Sequence, residues 1–470
     1  MRALTCSCAC LAALIGATLS ACSDAQGPGG PVRHIEAVNT APLTGTPLDT
    51  ASAALAVRVT DDGDRPAVGE SVAWSSTDGG TFAPSSALTD SDGVARAKWI
   101  LGPAVGIQHA SVTVERSPLN HTQFEATADA FRAKSLSLGE GAGLQCAIDA
   151  AGKVWCWESN AAPTAVSLGQ PAIQVATTGD PATTACALTA VGTVYCWGAN
   201  GFGQFGNGAS GISSATPVAV NLPPLQFKQI TMFGFGACAV SVAGDGYCWG
   251  RNQDGRFGNG TGTGVQAPIV LMPTLVGGGI AWQHLALGDD RACGVKTDRT
   301  VYCWGRNVGG NLGIGVDTDT ALPLAVVPAP LMDSVTLNGY HQCGITVDHR
   351  TYCWGMNYNI GFDPAPAMVA SPTALPASPA FQSVHSAFKP TFALGVDGRG
   401  YWWGPAPNAT GGPVVPTPLP GGISLQALGT SEFEACGIEA GSGVVFCWSG
   451  FNIEPAIPPK VRAIPVPSGG

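Results

Sequence analysis

Cysteine is the residue type in this chain whose number and spacing are most informative about chemistry. The chain of 470 residues contains sixteen cysteines, and twelve of them form six regularly spaced pairs. Five pairs are ten residues apart and the last is eleven apart: Cys146 with Cys156, Cys186 with Cys196, Cys238 with Cys248, Cys293 with Cys303, Cys343 with Cys353, and Cys436 with Cys447. Cysteines bind zinc, act as nucleophiles or form disulfide bonds, and their spacing discriminates among these uses.

The spacing favours disulfide bonds. Zinc sites usually use cysteines about two to four residues apart, and a catalytic thiol is a single residue paired with a base. Each pair instead flanks a turn-forming stretch, such as Gly244-Asp245-Gly246, so we predict β-hairpins in which the two cysteines face each other. One further copy of the motif has Phe392 and Trp402 at the cysteine positions. Both cysteines are lost together, as expected for bonded partners.

No residue pattern in the chain predicts catalysis. Neither a G-x-S-x-G elbow, nor a His-Glu-x-x-His helix, nor a carboxylate pair of glycosidase type can be identified. The histidines His284 and His385 lie in apolar strands and His341 lies beside Cys343, where structural roles are expected. The segment Gly201–Gly206 matches the dinucleotide fingerprint, but it recurs in a repeat, and more glycine and a proline-led strand follow it where the fingerprint requires a helix start. We predict a protein that is not an enzyme and has no cofactor or metal.

The cysteine pairs belong to a unit of some fifty residues that occurs seven times. A tryptophan marks every unit: Trp157, Trp197, Trp249, Trp304, Trp354, Trp403 and Trp448. An apolar strand such as Phe227–Gly234 precedes each hairpin, and a proline-led run such as Thr216–Val220 follows it. Four short strands per unit are typical of a propeller blade, and a closed ring leaves no long exposed edge. The sequence therefore predicts an all-β fold with a seven-bladed β-propeller over residues 131–470.

Four segments resemble the signature of the regulator of chromosome condensation (RCC1) repeat: Tyr195–Gly208, Tyr247–Gly260, Tyr302–Gly315 and, in shortened form, Tyr352–Gly361. The resemblance also implies a seven-bladed β-propeller. The chain departs from the pattern where Glu158 and Ser449 replace the usual glycine, and its first, sixth and seventh units lack the glycine-rich loop. These departures concern the outer loops of those units.

The N-terminal segment predicts export. Residues 4–19 are apolar and small, they follow Arg2, and they are too short to span a bilayer stably. They end in Leu19-Ser20-Ala21-Cys22, which resembles the bacterial lipobox and implies that Cys22 becomes the acylated first residue; cleavage after Ala21 without lipid is the alternative. Apart from three cysteines in the signal and Cys22, every cysteine belongs to a pair, which fits an oxidising compartment. We expect a lipoprotein signal peptide at residues 1–21 and a membrane-anchored cell-envelope protein facing the periplasm or the cell exterior.

Two segments separate this signal from the repeats. Residues 22–33 are predicted to form a glycine- and proline-rich tether. Residues 34–130 contain short alternating strands with frequent turns, the pattern of a β-sandwich. The run Thr89–Ala95, together with Trp99 and Leu101-Gly102, resembles bacterial immunoglobulin-like domains of the invasin and intimin type. Its aspartate clusters are compatible with calcium, but hairpin turns use Asp and Gly routinely.

Composition and the variation among repeats suggest the kind of partner. The net charge is −10 without any basic cluster, which excludes nucleic acid as an expected partner. The connections between first and second strands of the units differ sharply in sequence and would meet on one rim of a propeller. We predict a recognition surface there, with ordinary solvated loops as the alternative, formed by Arg291, Tyr340, His341, Phe388, Phe433 and Glu434.

These inferences combine into one functional hypothesis. An immunoglobulin-like spacer would hold a disulfide-stapled propeller away from the membrane as a binding or scaffold platform for an unknown protein or other envelope ligand. One alternative is a propeller-type inhibitor of an enzyme partner. A more remote alternative is guanine-nucleotide exchange, the activity of the family's nuclear namesake, which conflicts with the export signal and the disulfides.

Overall fold

The computed structural model contains strands with very little helix. It describes residues 34–39, 41–139, 143–158, 161–179, 183–221, 225–262, 267–337, 341–356, 368–376, 378–386, 390–404, 415–431, 434–449 and 460–465. Within these ranges the helical segments are two 3-10 turns, η1 (Gln253–Gly255) and η2 (Val308–Gly310). No helix in the described part of the chain combines the length and apolar character needed to cross a membrane. The all-β prediction is confirmed.

The N-terminal part consists of two sheets that share one apolar core. Its nine strands are β1 (His34–Ala37), β2 (Leu43–Gly45), β3 (Leu55–Thr60), β4 (Ser71–Ser76), β5 (Thr81–Ala83), β6 (Ser86–Leu88), β7 (Val94–Ile100), β8 (Gly106–Val114) and β9 (Ser117–Ala128). The strand orders are β1-β3-β7-β5 and β2-β9-β8-β4-β6, with β2 parallel to β9. Alternate residues of both sheets point inward, so that Trp74 from one sheet and Trp99 from the other belong to the same core.

The remaining described strands form seven four-stranded antiparallel sheets, each built from strands consecutive in the chain, here named sheet 1 to sheet 7. They are β10 (Ser135–Leu138), β11 (Leu144–Ile148), β12 (Val154–Glu158) and β13 (Thr164–Val166); β14 (Ala172–Thr177), β15 (Thr184–Thr189), β16 (Val194–Gly198) and β17 (Ser214–Ala219); β18 (Phe227–Phe233), β19 (Gly236–Ser241), β20 (Gly246–Arg251) and β21 (Ile269–Leu275); β22 (Trp282–Leu287), β23 (Arg291–Lys296), β24 (Val301–Gly305) and β25 (Thr320–Ala325); β26 (Met332–Leu337), β27 (His341–Thr346), β28 (Thr351–Met356) and β29 (Met368–Ala374); β30 (Phe381–Ser386), β31 (Thr391–Gly395), β32 (Gly400–Trp403) and β33 (Thr417–Pro418); β34 (Leu425–Thr430), β35 (Glu434–Glu439), β36 (Val445–Ser449) and β37 (Lys460–Ala463).

The second and third strands of six sheets are joined by the predicted disulfide bonds. Each cysteine lies directly opposite its partner across the hairpin, and the Cα atoms of the six bonded pairs are 4.0 to 4.1 Å apart. In sheet 6, Phe392 occupies the same register position opposite Trp402. The predicted pairing is confirmed for all six bonds, which join Cys146 to Cys156, Cys186 to Cys196, Cys238 to Cys248, Cys293 to Cys303, Cys343 to Cys353, and Cys436 to Cys447.

The first strands pack against one another all the way round. Each first strand contacts the first strand of the next sheet, and β10 of sheet 1 contacts β34 and β35 of sheet 7. The seven sheets therefore close on themselves, with the first strands on the inside. Apolar clusters lie between neighbouring sheets, and the marker tryptophans occupy them; Trp249, Trp304, Trp354, Trp403 and Trp448 are at most 1% exposed.

A side-chain link that the sequence did not reveal joins three of these interfaces. The Gln174 amide donates to the carbonyl of Ile230 at 2.9 Å and accepts from the Ile230 N–H at 3.0 Å. Gln229 makes the same two bonds to Leu285 in the next sheet, and His284 Nε2 lies 3.1 Å from the Val335 carbonyl. Each of these three side chains lies at a shift in the pairing register between the first and second strands of its sheet, as at a β-bulge. Such a bulge redirects the side chain, here toward the first strand of the next sheet.

Candidate functional site

The connections between strands place two kinds of loop at one end of the closed array of sheets. In an antiparallel sheet of four consecutive strands, the first-to-second and third-to-fourth connections lie at the same end. We call this end the rim. The hairpin turns between second and third strands lie at the opposite end, because strand direction alternates.

The structure corrects the prediction for three of the six residues of the recognition surface. Arg291, His341 and Glu434 are each the first residue of a second strand, and they are 3%, 0% and 9% exposed. Their side chains are thus buried and inaccessible to a partner. The other three members, Tyr340, Phe388 and Phe433, lie outside the described residues.

The contacts of these buried residues explain why they vary from sheet to sheet. His341 Nε2 lies 2.9 Å from the Thr391 hydroxyl of sheet 6. Glu434 accepts hydrogen bonds from the Gln145 amide of sheet 1 and, at 2.8 Å, from the guanidinium of Arg462. A buried charge requires such partners, so each residue is matched to its own neighbour and differs between interfaces.

Glu434 also lies near Cys436 and Cys447, in an arrangement that superficially resembles a metal site. The two cysteine sulfurs are bonded to each other. They are therefore not thiolate ligands, and these residues do not form a metal centre.

Burial of His341 predicts a loss of stability in acid. Burial lowers the pKa of this imidazole from 6.5 to about 3, with a smaller contribution from the nearby Arg291 charge. The folded state holds the neutral form, so its stabilising effect is complete above pH 6.5 and is lost as the pH falls toward 3. Lowering the pH from 7 to 5 should therefore reduce the free energy of unfolding by about 2 kcal/mol through this residue alone.

The measurement is chemical denaturation of the wild type and of His341→Gln at both pH values. The variant should lose about 2 kcal/mol less than the wild type over this interval. His34→Gln, at an exposed position, is the control and should behave as the wild type does. An equal loss in wild type and His341→Gln would show that His341 does not carry the effect.

The described part of the rim contains a different cluster that is accessible. The rings of Phe202 and Phe235 lie 4.6 Å apart between centroids. The Arg251 guanidinium carbon lies 5.2 Å from the Phe202 centroid and 5.7 Å from that of Phe235. All three side chains are only half-buried, although each carries substantial apolar area. We call these three residues the rim cluster.

Acidic groups also lie at the rim, on the loops of sheets 3 and 4. Burial is the main reason that the pKa of Asp254 is raised, and the nearby Asp290 charge acts in the same direction. Asp290 in turn contacts Arg291 at 2.9 Å and Arg306 at 3.6 Å. The rim over sheets 2 to 4 therefore combines half-buried aromatic rings with the accessible charges of Asp254 and Arg306, the composition typical of protein contact surfaces.

A signal for this cluster was present in the repeats. Phe202, Asp254 and Gly309 occupy one position of the glycine-rich signature, two residues after its asparagine, while the residue that follows is glycine in all three copies. A position that changes from aromatic to acidic to glycine within one chain is not fixed by packing. The predicted recognition surface draws only on first-to-second connections, whereas Phe202 lies on a third-to-fourth connection.

Comparisons with known proteins agree with this architecture. The family model of the regulator of chromosome condensation (RCC1) repeat matches residues 182–204 and 282–311. The chain is 33% identical over 126 residues to the ultraviolet-B receptor UVR8 of Arabidopsis thaliana, covering 26% of this chain and 28% of the receptor. It is 29% identical over 103 residues to the probable E3 ubiquitin-protein ligase HERC4 of Homo sapiens, covering 22% of this chain and 10% of that protein. The matches thus span less than a third of either relative.

Solved structures support the same fold. Human WBSCR16 superposes with a TM-score of 0.56 at 18% identity, over 66% of this chain and 87% of that one. Prp20p from Saccharomyces cerevisiae gives a TM-score of 0.53 at 19% identity, over 63% of this chain and 79% of that one. At these identities the structural likeness defines the fold alone. Together with the family match and the disulfide-bonded hairpins, it shows that the chain contains an RCC1-like β-propeller.

Proposed function

We propose that this chain is an exported, lipid-anchored cell-envelope protein that is not an enzyme and whose propeller binds a protein partner through the rim. The observation that carries the proposal is the rim cluster of Phe202, Phe235 and Arg251. Half-exposed aromatic rings stacked with an arginine are costly to leave in water and are the residue types that contribute most to protein interfaces.

The architecture we propose has seven blades and a spacer. The seven four-stranded sheets correspond to seven blades, with sheet 7 completed by β37 near the C-terminus. The two N-terminal sheets correspond to an immunoglobulin-like sandwich at residues 34–130, preceded by the tether at residues 22–33. Such a spacer would place the rim at a distance from the membrane surface.

The six disulfides support an exported location, since such bonds persist in oxidising compartments. Protein binding also has precedents among the structural relatives. Prp20p, the yeast RCC1, was characterised for its binding to Gsp1p and histones and was also crystallised with Kap60. These partners belong to that protein, and for this chain we propose only the general mode, recognition of another protein by the propeller.

Replacing Cys22 with alanine should release the protein from membranes. Without the thiol no acyl chain can be attached, and membrane retention depends on such an anchor in this proposal. The measurement is the membrane-bound fraction together with incorporation of a labelled fatty acid. Cys10→Ala, in the segment that the signal peptidase would remove, is the matched control and should change neither. Retention of Cys22→Ala at the wild-type level would contradict lipid anchoring.

The partner-binding proposal is tested by affinity capture from envelope extracts with the full chain as bait. We expect one or more proteins to be retained by the wild type and depleted with Phe235→Ala. Val242→Ala is the control, because Val242 is 63% exposed at the opposite end of the same sheet. Identical recovery with both variants would contradict recognition through the rim cluster.

A further inference from the structure

In sheets 2, 3 and 4 the glycine-rich loop fills a groove against the next sheet. The indole N–H of Trp249 donates to the Gln204 carbonyl at 2.8 Å, and that of Trp304 donates to the Arg256 carbonyl at 2.9 Å. The following side chains, Phe205 and Phe257, are 2% and 0% exposed. In the loop of sheet 4 the Trp354 indole donates at 3.3 Å to the carbonyl of the buried Leu312, one position further along the loop than in sheets 2 and 3. Each loop thus supplies a carbonyl for the indole and an apolar side chain for the groove.

Two further interfaces that lack a full loop are filled in other ways. Trp448 donates to the Pro420 carbonyl at 2.8 Å, and Leu419 packs in the same cluster. Trp157 of sheet 1 packs against Phe131, with ring centroids 5.8 Å apart. These substitutes show that the fold tolerates loss of the loop when another segment of the chain takes its place.

The interface between sheets 1 and 2 has no such substitute among the described residues. The connection from β12 to β13 spans residues 159–163, whereas residues 199–213 link β16 to β17. A groove of about 690 Å³ results, and its walls include Leu144, Glu158, Ala162, Trp197 and Pro217. No described residue accepts a hydrogen bond from the Trp197 indole, in contrast to Trp249, Trp304, Trp354 and Trp448.

We propose that this groove binds a segment of a partner protein that presents an Arg-Phe-Gly sequence, the chemistry that the chain's own loop places in the groove after sheet 3. Trp197 would donate to a backbone carbonyl of the segment, and the phenylalanine would fill the apolar space. The glycine is required for close approach: at Gly258, where φ is +65°, an added Cβ would lie 2.6 Å from Trp304.

The charge of the groove favours arginine before the phenylalanine. Glu158 is exposed at the end of β12, in the register position that glycine occupies in β16, β20 and β24. In sheet 3, the Arg256 guanidinium lies against the end of the corresponding strand, with Nε donating to the Arg251 carbonyl at 3.0 Å. An arginine carried by the bound segment would therefore meet the Glu158 carboxylate. This site is separate from the rim cluster and does not depend on the proposed function.

The chain provides a matched pair of probes. Residues 255–260 have the sequence Gly-Arg-Phe-Gly-Asn-Gly, and residues 203–208 have Gly-Gln-Phe-Gly-Asn-Gly. We expect saturable binding of the labelled arginine peptide to the full chain in fluorescence anisotropy, with weaker binding of the glutamine peptide. Replacing the peptide phenylalanine with alanine should weaken binding about 30-fold. The Trp197→Phe variant should bind about fivefold more weakly, because it keeps the ring and loses the donor.

Two protein variants serve as controls. Trp249→Phe makes the same change at a filled groove, so it should lower the melting temperature and leave peptide affinity unchanged. Glu158→Gln, at an exposed position, should abolish the preference for the arginine peptide over the glutamine peptide. This variant and the alanine peptide together test the proposal even if Trp197→Phe fails to fold. Absence of saturable binding up to about 1 mM, or equal affinity for the phenylalanine and alanine peptides, would overturn the proposal. Self-association blocked by Glu158→Gln would instead assign the groove to a second copy of the chain, and would overturn it too.

Discussion

Truncation of Trp304 to alanine should lower the free energy of unfolding by about 3–5 kcal/mol. The indole is 0% exposed between sheets 3 and 4 and lies 5.5 Å from the Trp282 ring. Its N–H donates to the Arg256 carbonyl at 2.9 Å. Alanine would leave a cavity and an unpaired buried carbonyl at once. Equilibrium unfolding in denaturant, with the disulfides intact, measures the difference.

The more conservative Trp304→Phe separates these two contributions. It keeps much of the apolar volume and removes the donor, so we expect a smaller loss of about 1–2 kcal/mol. Val242→Ala, at an exposed position in sheet 3, should change stability by no more than about 0.5 kcal/mol. If Trp304→Ala lowered the free energy of unfolding by less than about 1 kcal/mol, contacts between sheets would not be the main source of the propeller's stability.

Truncation of Phe235 should act on binding and leave stability nearly unchanged. Its ring is half-exposed and contacts Phe202 and Arg251 at the rim, outside the clusters between sheets. Once a partner has been isolated, we expect Phe235→Ala to weaken its affinity by about 2 kcal/mol or more, roughly 30-fold. Titration calorimetry measures the affinity, and a thermal melt of the same sample checks stability.

Arg251→Ala should show a smaller loss of affinity in the same direction, because the guanidinium stacks on both rings. Val242→Ala again provides the control at the opposite end of the sheet. If Phe235→Ala loses stability while affinity holds, the rim cluster is a packing element. If Glu158→Gln weakens binding of the partner and Phe235→Ala does not, the partner binds in the groove between sheets 1 and 2.

The burial of three residues of the predicted recognition surface has a specific physical cause. Variation among repeats was interpreted as freedom from packing constraints, and for Phe202 and Asp254 that interpretation agrees with their exposure. For His341 and Glu434 it was wrong, because each of these side chains bonds to a different neighbouring sheet. Arg291 is buried as well, in an ion pair with Asp290. A position that is the same in every repeat is one that every unit requires. A position that varies is either free of packing constraints or matched to one particular neighbouring sheet, and the sequence does not distinguish the two.

The sequence by itself determined the all-β class, the repeated hairpins and all six disulfide pairs. These properties depend on residues close together in the chain: a turn fixes the register of its hairpin, and register sets each cysteine opposite its partner, as it does for Cys248, Cys303 and Cys353. Only the tertiary structure decided which side chains are buried between sheets, which groove remains unfilled at Trp197, and where Phe202 meets Phe235. Those features join residues from different repeats, and their contacts follow from the closure of the sheets on one another rather than from any local pattern.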